Sequence, residues 1–343
     1  MNRMVDFEFR TASHVISSLD PDGIVRAADM VTEAIRSGHT VYFLGNGGSS
    51  ADAQHLAGEL SGKYLFDRPG MPGACLSNIV PVTAIGNDYD FDSVFSRQVD
   101  AFVREGDVVI GISTSGNSRN VLRAMERARE LGAVTISFSG EGGVLKDIVD
   151  HAVIVRSRET PHIQEGYLVA GHMMCCLVER SMFGRKAVFV DRDDTLVPDV
   201  PYCRDPLCMM PFDGVPEAVR RLNDAGYLVI MVTNQSGIGR GLLTEDDLEA
   251  VNHALMSSMA SGGGRIDDVF FCPHRPEDGC ECRKPGIGMG VAAVKKYHID
   301  VRRSFMIGDS DSDMEFGREL GCRTLRVGEG FSFTDAVDVI LGG

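Results

Sequence analysis

The chain has 343 residues, 43% of them hydrophobic and 24% charged, which fits about two soluble globular domains with their own cores. Its formal net charge of −15, with no basic cluster to offset it, argues against nucleic acid or an anionic membrane as the main partner. No apolar run approaches the ~20 residues of a membrane span, and residues 1–8 lack a signal-peptide core. Nine cysteines, an odd count, include three that cluster with His274, so a reducing cytoplasm with metal-binding thiols is expected over a disulfide framework.

Along the chain, residues 24–36 read as an amphipathic helix ended by Gly38. Strand 41–44 precedes a glycine-rich turn and a helix near 49–60. Strand 108–110 leads into Ser113-Thr114-Ser115-Gly116-Asn117-Ser118 and a helix to about 130. Strands follow at 133–136 and 152–155, then a helix over 163–181. Gly184-Arg185-Lys186 is the joint, and a second alternation begins: strand 187–190, helix 215–225, strand 227–232 and helix 245–260. After a Cys/His loop come helix 288–297, strand 304–307, helix 312–320 and strand 324–327. Such βα alternation predicts an α/β protein of two doubly wound parallel-sheet domains, 1–184 and 185–343.

In the first half, Gly45-Asn46-Gly47-Gly48-Ser49-Ser50 lies between a strand and a helix, where free N–H groups and the helix dipole favour an anion. Read alone, it is equally a plain strand–helix turn. The second loop, with its hydroxyls around Gly116, suits the several acceptor oxygens of a phosphate. Both fall beyond strand C-termini, where open α/β sheets bind ligands. His55 and Glu59, four apart, share one helix face. Taken singly they read as a surface pair, and His172 in its apolar stripe as a core histidine.

In combination, these stretches, together with His55 to Tyr64, Arg68-Pro69-Gly70, Gly86-Asn87-Asp88, the run 104–118 and Ile163-Gln164-Glu165, resemble the sugar isomerase (SIS) fold, specifically the bacterial sedoheptulose 7-phosphate (phosphoheptose) isomerases. The resemblance implies a flavodoxin-like domain with Glu59 and His172 as the acid–base pair that moves a proton between C1 and C2. It implies Gly47, Ser49, Ser113, Thr114, Ser115 and Ser118 around the phosphate, and Asn46, Asn87, Asp88 and Gln164 near the sugar. It also implies a zinc site on His55, Glu59, Gln164 and His172, and a tetramer built through the first halves. On one helix, however, Gln164 and His172 stand about 12 Å apart along the axis. They share an ion only if Gln164 lies off the helix start or comes from another subunit. Thr160-Pro161-His162 departs from the family's usual polar–Arg approach to this turn.

In the second half, Asp191-Arg192-Asp193-Asp194-Thr195 ends a strand. Thr233-Asn234, Lys284 in Cys282-Arg283-Lys284-Pro285, and Gly308-Asp309 with Asp313 follow in order. This set resembles the haloacid dehalogenase-like (HAD) phosphatases, Rossmann-like and here without room for a large cap. It implies Asp191 as nucleophile and Asp193 as acid–base. It implies Mg²⁺ on Asp191, the Asp193 carbonyl and Asp309, with Asp313 supporting the metal shell. Thr233, Asn234, Arg283 and Lys284 would face the phosphoryl group. Cys272, His274, Cys280 and Cys282 read as a structural Zn²⁺ site beside that lysine.

The cysteine pattern is similar to both heptose 1,7-bisphosphate phosphatases and histidinol-phosphate phosphatases, and the fused partner favours the former. Asp194, where a glycine is usual, and Ser310, where a basic residue is usual, depart from the pattern. The combined expectation is a bifunctional enzyme of ADP- or GDP-heptose precursor synthesis, with sugar phosphates as ligands and a separate kinase acting between its two steps. The alternative is a sugar-phosphate sensor fused to a phosphatase of other specificity, such as one for histidinol phosphate.

Overall fold

The computed structural model describes residues 2–342, and these fall into two compact units that part between Phe183 and Gly184. Among the described residues no helix is long and apolar enough to cross a membrane.

The first unit runs α1 (Asn2–Ser17), α2 (Pro21–Arg36), β1 (Val41–Gly45), α3 (Gly48–Ser61), β2 (Gly73–Cys75), α4 (Ile79–Asp88), α5 (Ser96–Phe102), β3 (Val108–Ser113), α6 (Arg119–Glu130), β4 (Val134–Gly140), α7 (Leu145–Ile148), β5 (His151–Val155) and α8 (Thr160–Phe183). The sheet is wholly parallel in the order β2-β1-β3-β4-β5. That is the flavodoxin-like order, and its direction reverses between β1 and β3. Both faces are covered, so the strands are apolar throughout rather than alternating. Phe43, Ile110, Ile112 and Phe138 pack under α2, α3 and α8, while Leu44 and Val109 pack with α5 and α6. Each such side chain contributes about 1.5–3 kcal/mol by leaving water.

The second unit runs β6 (Ala187–Val190), α9 (Val215–Asp224), β7 (Leu228–Asn234), α10 (Glu245–Ser261), β8 (Asp268–Cys272), α11 (Gly288–Tyr297), β9 (Phe305–Gly308), α12 (Asp311–Leu320), β10 (Arg323–Arg326) and α13 (Phe333–Gly342). Its sheet, also parallel, has the order β10-β9-β6-β7-β8, the Rossmann-like arrangement, with the reversal between β6 and β9. Val190, Met231 and Ile307 face α9, α10 and α13, and Phe189, Ile230 and Met306 face α11 and α12. The segments between elements are loops and single 3₁₀ turns, with no inserted cap among the described residues.

Several elements go beyond the sequence reading. β2 is three residues long, and α4 buries none of its residues, so neither produces an apolar period. α1 buries only Val15. β8 lies where only a Cys/His loop was expected. α8 starts at Thr160, three residues earlier than predicted, and runs unbroken past His172. Arg185, expected to belong to the joint, is already paired inside the second unit: its N–H donates to His298 O at 3.1 Å, and its carbonyl accepts from Asp300 N at 2.8 Å.

Candidate active sites

The reversal between β1 and β3 sets the first candidate site, because the loops after these strands diverge and leave a crevice. Asn46 after β1 and Asn120 at the start of α6 exchange amide hydrogen bonds at 2.8 and 2.9 Å across it. Gly47 opens α3 with φ +55°, a left-handed backbone that glycine takes at little cost. A Cβ on Gly48 would collide with the Gln164 amide, so α8 closes directly onto this loop.

Ser113 and Ser118 meet at 3.1 Å and tie the second loop's ends together. Thr114 and Ser115 line a cleft of about 440 Å³ with Glu141, Gly142, Ser157, Arg158 and Ile163. Ser49 turns inward instead, its hydroxyl 2.8 Å from the Tyr167 hydroxyl. Burial pushes the Tyr167 phenol up to about 12 and raises the Asp52 carboxyl beside it. Asn87 and Asp88 are exposed at the end of α4, bonded to each other, and do not line this cleft.

His55, Glu59 and His172 converge. His55 Nε2 lies 2.8 Å from His172 Nε2 and 3.3 Å from Glu59 Oε1, and one ligand atom from each residue falls within 4.8 Å of the others. Burial, then the neighbouring His55, lowers the pKa of His172. Two imidazole nitrogens and one carboxylate oxygen make a donor set suited to Zn²⁺ with a position left open. Because α8 is continuous, Gln164 and His172 stand about two turns apart along it, and the Gln164 amide lies against Gly48. Three of the four expected ligands thus converge within one chain.

The sequence reading gave no role to the groups that hold this trio. The Tyr64 ring stacks on His172 with centroids 5.5 Å apart. Glu179, fully buried one face-repeat after His172, accepts from Tyr64 N at 2.8 Å, Leu65 N at 2.7 Å and Arg68 Nε at 3.0 Å. Arg68 in turn donates to the carbonyls of Glu59, Leu60, Gly62 and Pro69, which fixes the end of α3. A carboxylate seven residues after His172 in an apolar helix was the available signal.

In the second unit, the reversal between β6 and β9 brings Asp191 and Asp309 to neighbouring strand ends. A cleft of about 260 Å³ is lined by Asp191, Asp193, Asp194, Asp199, Thr233, Asn234, Lys284, Asp309, Ser310 and Ser312. The buried Lys284 ammonium lies 2.8 Å from Asp191 Oδ1 and 2.6 Å from Asp313 Oδ1. Burial alone would lower the ammonium's pKa, but the two carboxylates raise it. Burial pushes Asp191 up to about 7, with Asp313 and Asp193 adding to the rise and Lys284 opposing it. A cation at this point would favour the ionised nucleophile.

Asp191, Asp309 and Asp313 present oxygens within 4.8 Å of one another, a hard donor set that fits Mg²⁺. Asp313 is otherwise engaged: Oδ1 faces Lys284, and Oδ2 accepts from Ser310 N at 3.1 Å and Ser310 Oγ at 2.7 Å, capping α12. Ser310, the departure from the usual basic residue, is thus the helix cap. Asp194 has φ +51°, which explains why glycine is usual there, and its Oδ1 accepts from Asp199 N at 2.9 Å. Asn234 exchanges two hydrogen bonds with the Lys284 backbone at 3.1 and 3.0 Å, so it positions the lysine. Arg283 lies outside the cleft and donates to His274 O at 3.4 Å.

Cys272 Sγ, His274 Nδ1, Cys280 Sγ and Cys282 Sγ form one cluster, with neighbouring donors 3.1 to 3.6 Å apart. A tetrahedral zinc with Zn–S near 2.3 Å requires edges of about 3.7 Å, so small outward shifts of the donors would admit it.

The fold and site define the class: a SIS-type phosphosugar domain joined to a HAD-like phosphatase domain. The SIS domain family matches residues 8–140, and the HAD-hydrolase-like family matches residues 281–339. The phosphoheptose isomerase of Rhodospirillum rubrum is 50% identical over 161 residues, 46% of this chain and 86% of its own. The chain belongs, through its N-terminal half, to the phosphoheptose isomerase family. Among solved structures, the phosphoheptose isomerase of Neisseria gonorrhoeae is 35% identical, with a TM-score of 0.49, and the match covers 52% of this chain and 98% of that one. The D,D-heptose 1,7-bisphosphate phosphatase of B. bronchiseptica, complexed with magnesium and phosphate, is 29% identical, with a TM-score of 0.43, covering 46% of this chain and 98% of that one.

Proposed function

We propose that this chain is a bifunctional enzyme. Its first unit interconverts sedoheptulose 7-phosphate and D-glycero-D-manno-heptose 7-phosphate. Its second removes the 7-phosphate of D-glycero-D-manno-heptose 1,7-bisphosphate. The observation that carries the reading is that each unit brings a complete reactive set to its own sheet reversal: Glu59 with His172 and His55, and Asp191 with Asp193, Lys284 and Asp309.

In the first unit, the carboxylate of Glu59 takes the carbon-bound proton. The imidazole of His172 moves the proton at the neighbouring oxygen, giving an enediol that collapses to either sugar. Zn²⁺ held by His55, Glu59 and His172 would polarise the carbonyl. Gln164 of a second copy supplies the remaining contact, since α8 carries its own Gln164 away from the trio. This makes the active form an oligomer, for which the family resemblance implies a tetramer.

In the second unit, Asp191 attacks phosphorus in line while Asp193 protonates the leaving oxygen. Asp193 then takes a proton from the water that hydrolyses the aspartyl-phosphate. Lys284 and Thr233 hold phosphoryl oxygens, and Mg²⁺ on Asp191 and Asp309 would neutralise their charge. Cys272, His274, Cys280 and Cys282 would hold a Zn²⁺ that braces the loop carrying Lys284. A kinase acting at C1 must stand between the two steps.

The test is direct. The purified chain is supplied with sedoheptulose 7-phosphate, and aldose formation is followed by NMR. Phosphate release is then compared for both anomers of heptose 1,7-bisphosphate and for histidinol phosphate. Equal or better turnover of histidinol phosphate refutes the second assignment. Binding of sugar phosphate without isomerisation, unchanged in Glu59→Gln, refutes the first. Sedimentation showing a fully active monomer removes the role of a second Gln164.

A further inference from the structure

Asp193 is held more firmly than a position at the wall of an open cleft requires. Arg192, between the two motif carboxylates, is 2% exposed. Its Nε meets Asp193 Oδ1 at 2.9 Å and its Nη2 meets Oδ2 at 3.0 Å, a fork-to-fork pairing. Its Nη1 reaches Asn252 Oδ1 on α10 at 3.2 Å. Its main-chain N–H donates to Asp191 Oδ1 at 2.7 Å. From the other side, Gln235 Nε2 donates to Asp193 Oδ2 at 3.1 Å and to Thr233 Oγ1 at 2.9 Å. Three donors thus occupy a carboxylate with about four acceptor positions. A buried guanidinium is expensive to desolvate, and an apolar side chain of similar volume would cost less.

We propose that Arg192 and Asn252 form a positioning brace for Asp193, an inference that rests on the phosphatase reading of this unit. Neither brace residue lines the cleft, whereas Asp191 and Asp193 do. Oδ1 stays on Arg192 Nε. Oδ2, shared between Arg192 and Gln235, turns to the substrate. In the first half-reaction an Asp191 oxygen bonds to phosphorus, the bond from phosphorus to the leaving oxygen breaks, and the proton on Asp193 Oδ2 goes to that oxygen. In the second, a water oxygen bonds to phosphorus, its proton passes to Asp193 Oδ2, and the bond from phosphorus to Asp191 breaks. The brace keeps the same oxygen aimed in both directions, and Asn252 anchors the guanidinium to the fixed helix α10.

The test is a double-mutant cycle on the full chain, reading phosphate release and single-turnover phosphoenzyme formation. Arg192→Met should lower kcat about 10- to 100-fold for alkyl phosphomonoesters, with KM changed by no more than about 2-fold, since misaiming forfeits part of the general acid–base contribution. The loss in phosphoenzyme formation should shrink to about 3-fold or less for p-nitrophenyl phosphate, whose leaving oxygen needs little protonation. In an Asp193→Asn background, Arg192→Met should add no further loss. Arg192→Lys, which keeps the charge without the fork, should recover only part of the rate. If Arg192→Met does not fold, Asn252→Leu carries the test with a smaller loss in kcat alone. Multiplicative losses in the double variant, an effect confined to KM, or full recovery by lysine would each overturn the brace. A wild-type chain that hydrolyses neither heptose bisphosphate nor p-nitrophenyl phosphate would instead overturn the phosphatase reading itself.

Discussion

Removing the carboxylate of Glu179 should cost the first unit more than any other single truncation near its site. The side chains of Glu179 and Arg68 are 0% and 1% exposed, so their charges are cut off from water. Glu179→Ala leaves a buried guanidinium without its counter-charge and frees the N–H groups of Tyr64 and Leu65. Breaking such a buried pair from one side costs about 3–5 kcal/mol, which for a domain of this size lowers Tm by roughly 6–20 °C. Arg68 also fixes the carbonyl of Glu59, so isomerase activity should fall before global unfolding. Glu179→Gln keeps an acceptor toward one N–H and should fall between the two. The assay is differential scanning calorimetry of the full chain, with the first transition assigned by its response to sugar phosphate, alongside isomerase rates at 25 °C. A Glu179→Ala transition within about 1 kcal/mol of wild type would refute the reasoning, because it would mean that Arg68 finds water or another anion.

Four further outcomes follow from the same geometry. Asp191→Asn should abolish phosphate release while leaving aldose–ketose interconversion unchanged, measured on one preparation. Cys280→Ser should lower the thermal stability of the second unit and its phosphatase rate together, with less than one zinc per cluster by elemental analysis. Asp194→Gly should be close to neutral, as relief of the left-handed backbone offsets the lost Asp199 bond, whereas Asp194→Val should cost about 2 kcal/mol in chemical denaturation. His162 Nδ1–H donates to Glu165 Oε2 at 2.9 Å and the ring faces Glu8 of α1 and Glu159, and Glu165 above all raises its pKa. A pKa raised on folding contributes stability that is full below the unfolded value of about 6.5 and is lost as pH rises through the folded value. Titrating stability upward from pH 6 should therefore show a decline that His162→Ala removes.

The parallel architecture was readable because strand and helix periods alternate cleanly and the reactive residues sit at strand ends. His55 with Glu59, and the four phosphatase motifs, were readable because each is local. What escaped was non-local or weakly patterned. Glu179 reaches a loop 111 residues earlier in the chain, and Arg192 and Asn252 are 60 apart, so no window contains either contact. β2 and α4 lacked a period because one is too short and the other buries nothing. The conflict over Gln164 was foreseen from helical rise alone, and α8 is unbroken between Gln164 and His172. The two departures, Asp194 and Ser310, were legible as anomalies but not as what they are, a tolerated left-handed residue and a helix cap.

The pairing of Arg185 with His298 and Asp300 leaves Gly184 as the whole of the seam after Phe183. Anyone wishing to separate the halves must cut there, since a break after Lys186 would strip three main-chain bonds from the second half. Carriage of both units on one chain also removes a degree of freedom from the cell. Translation delivers the two catalysts in a fixed one-to-one ratio, and their relative dosage is tuned by chemistry at each site rather than by expression.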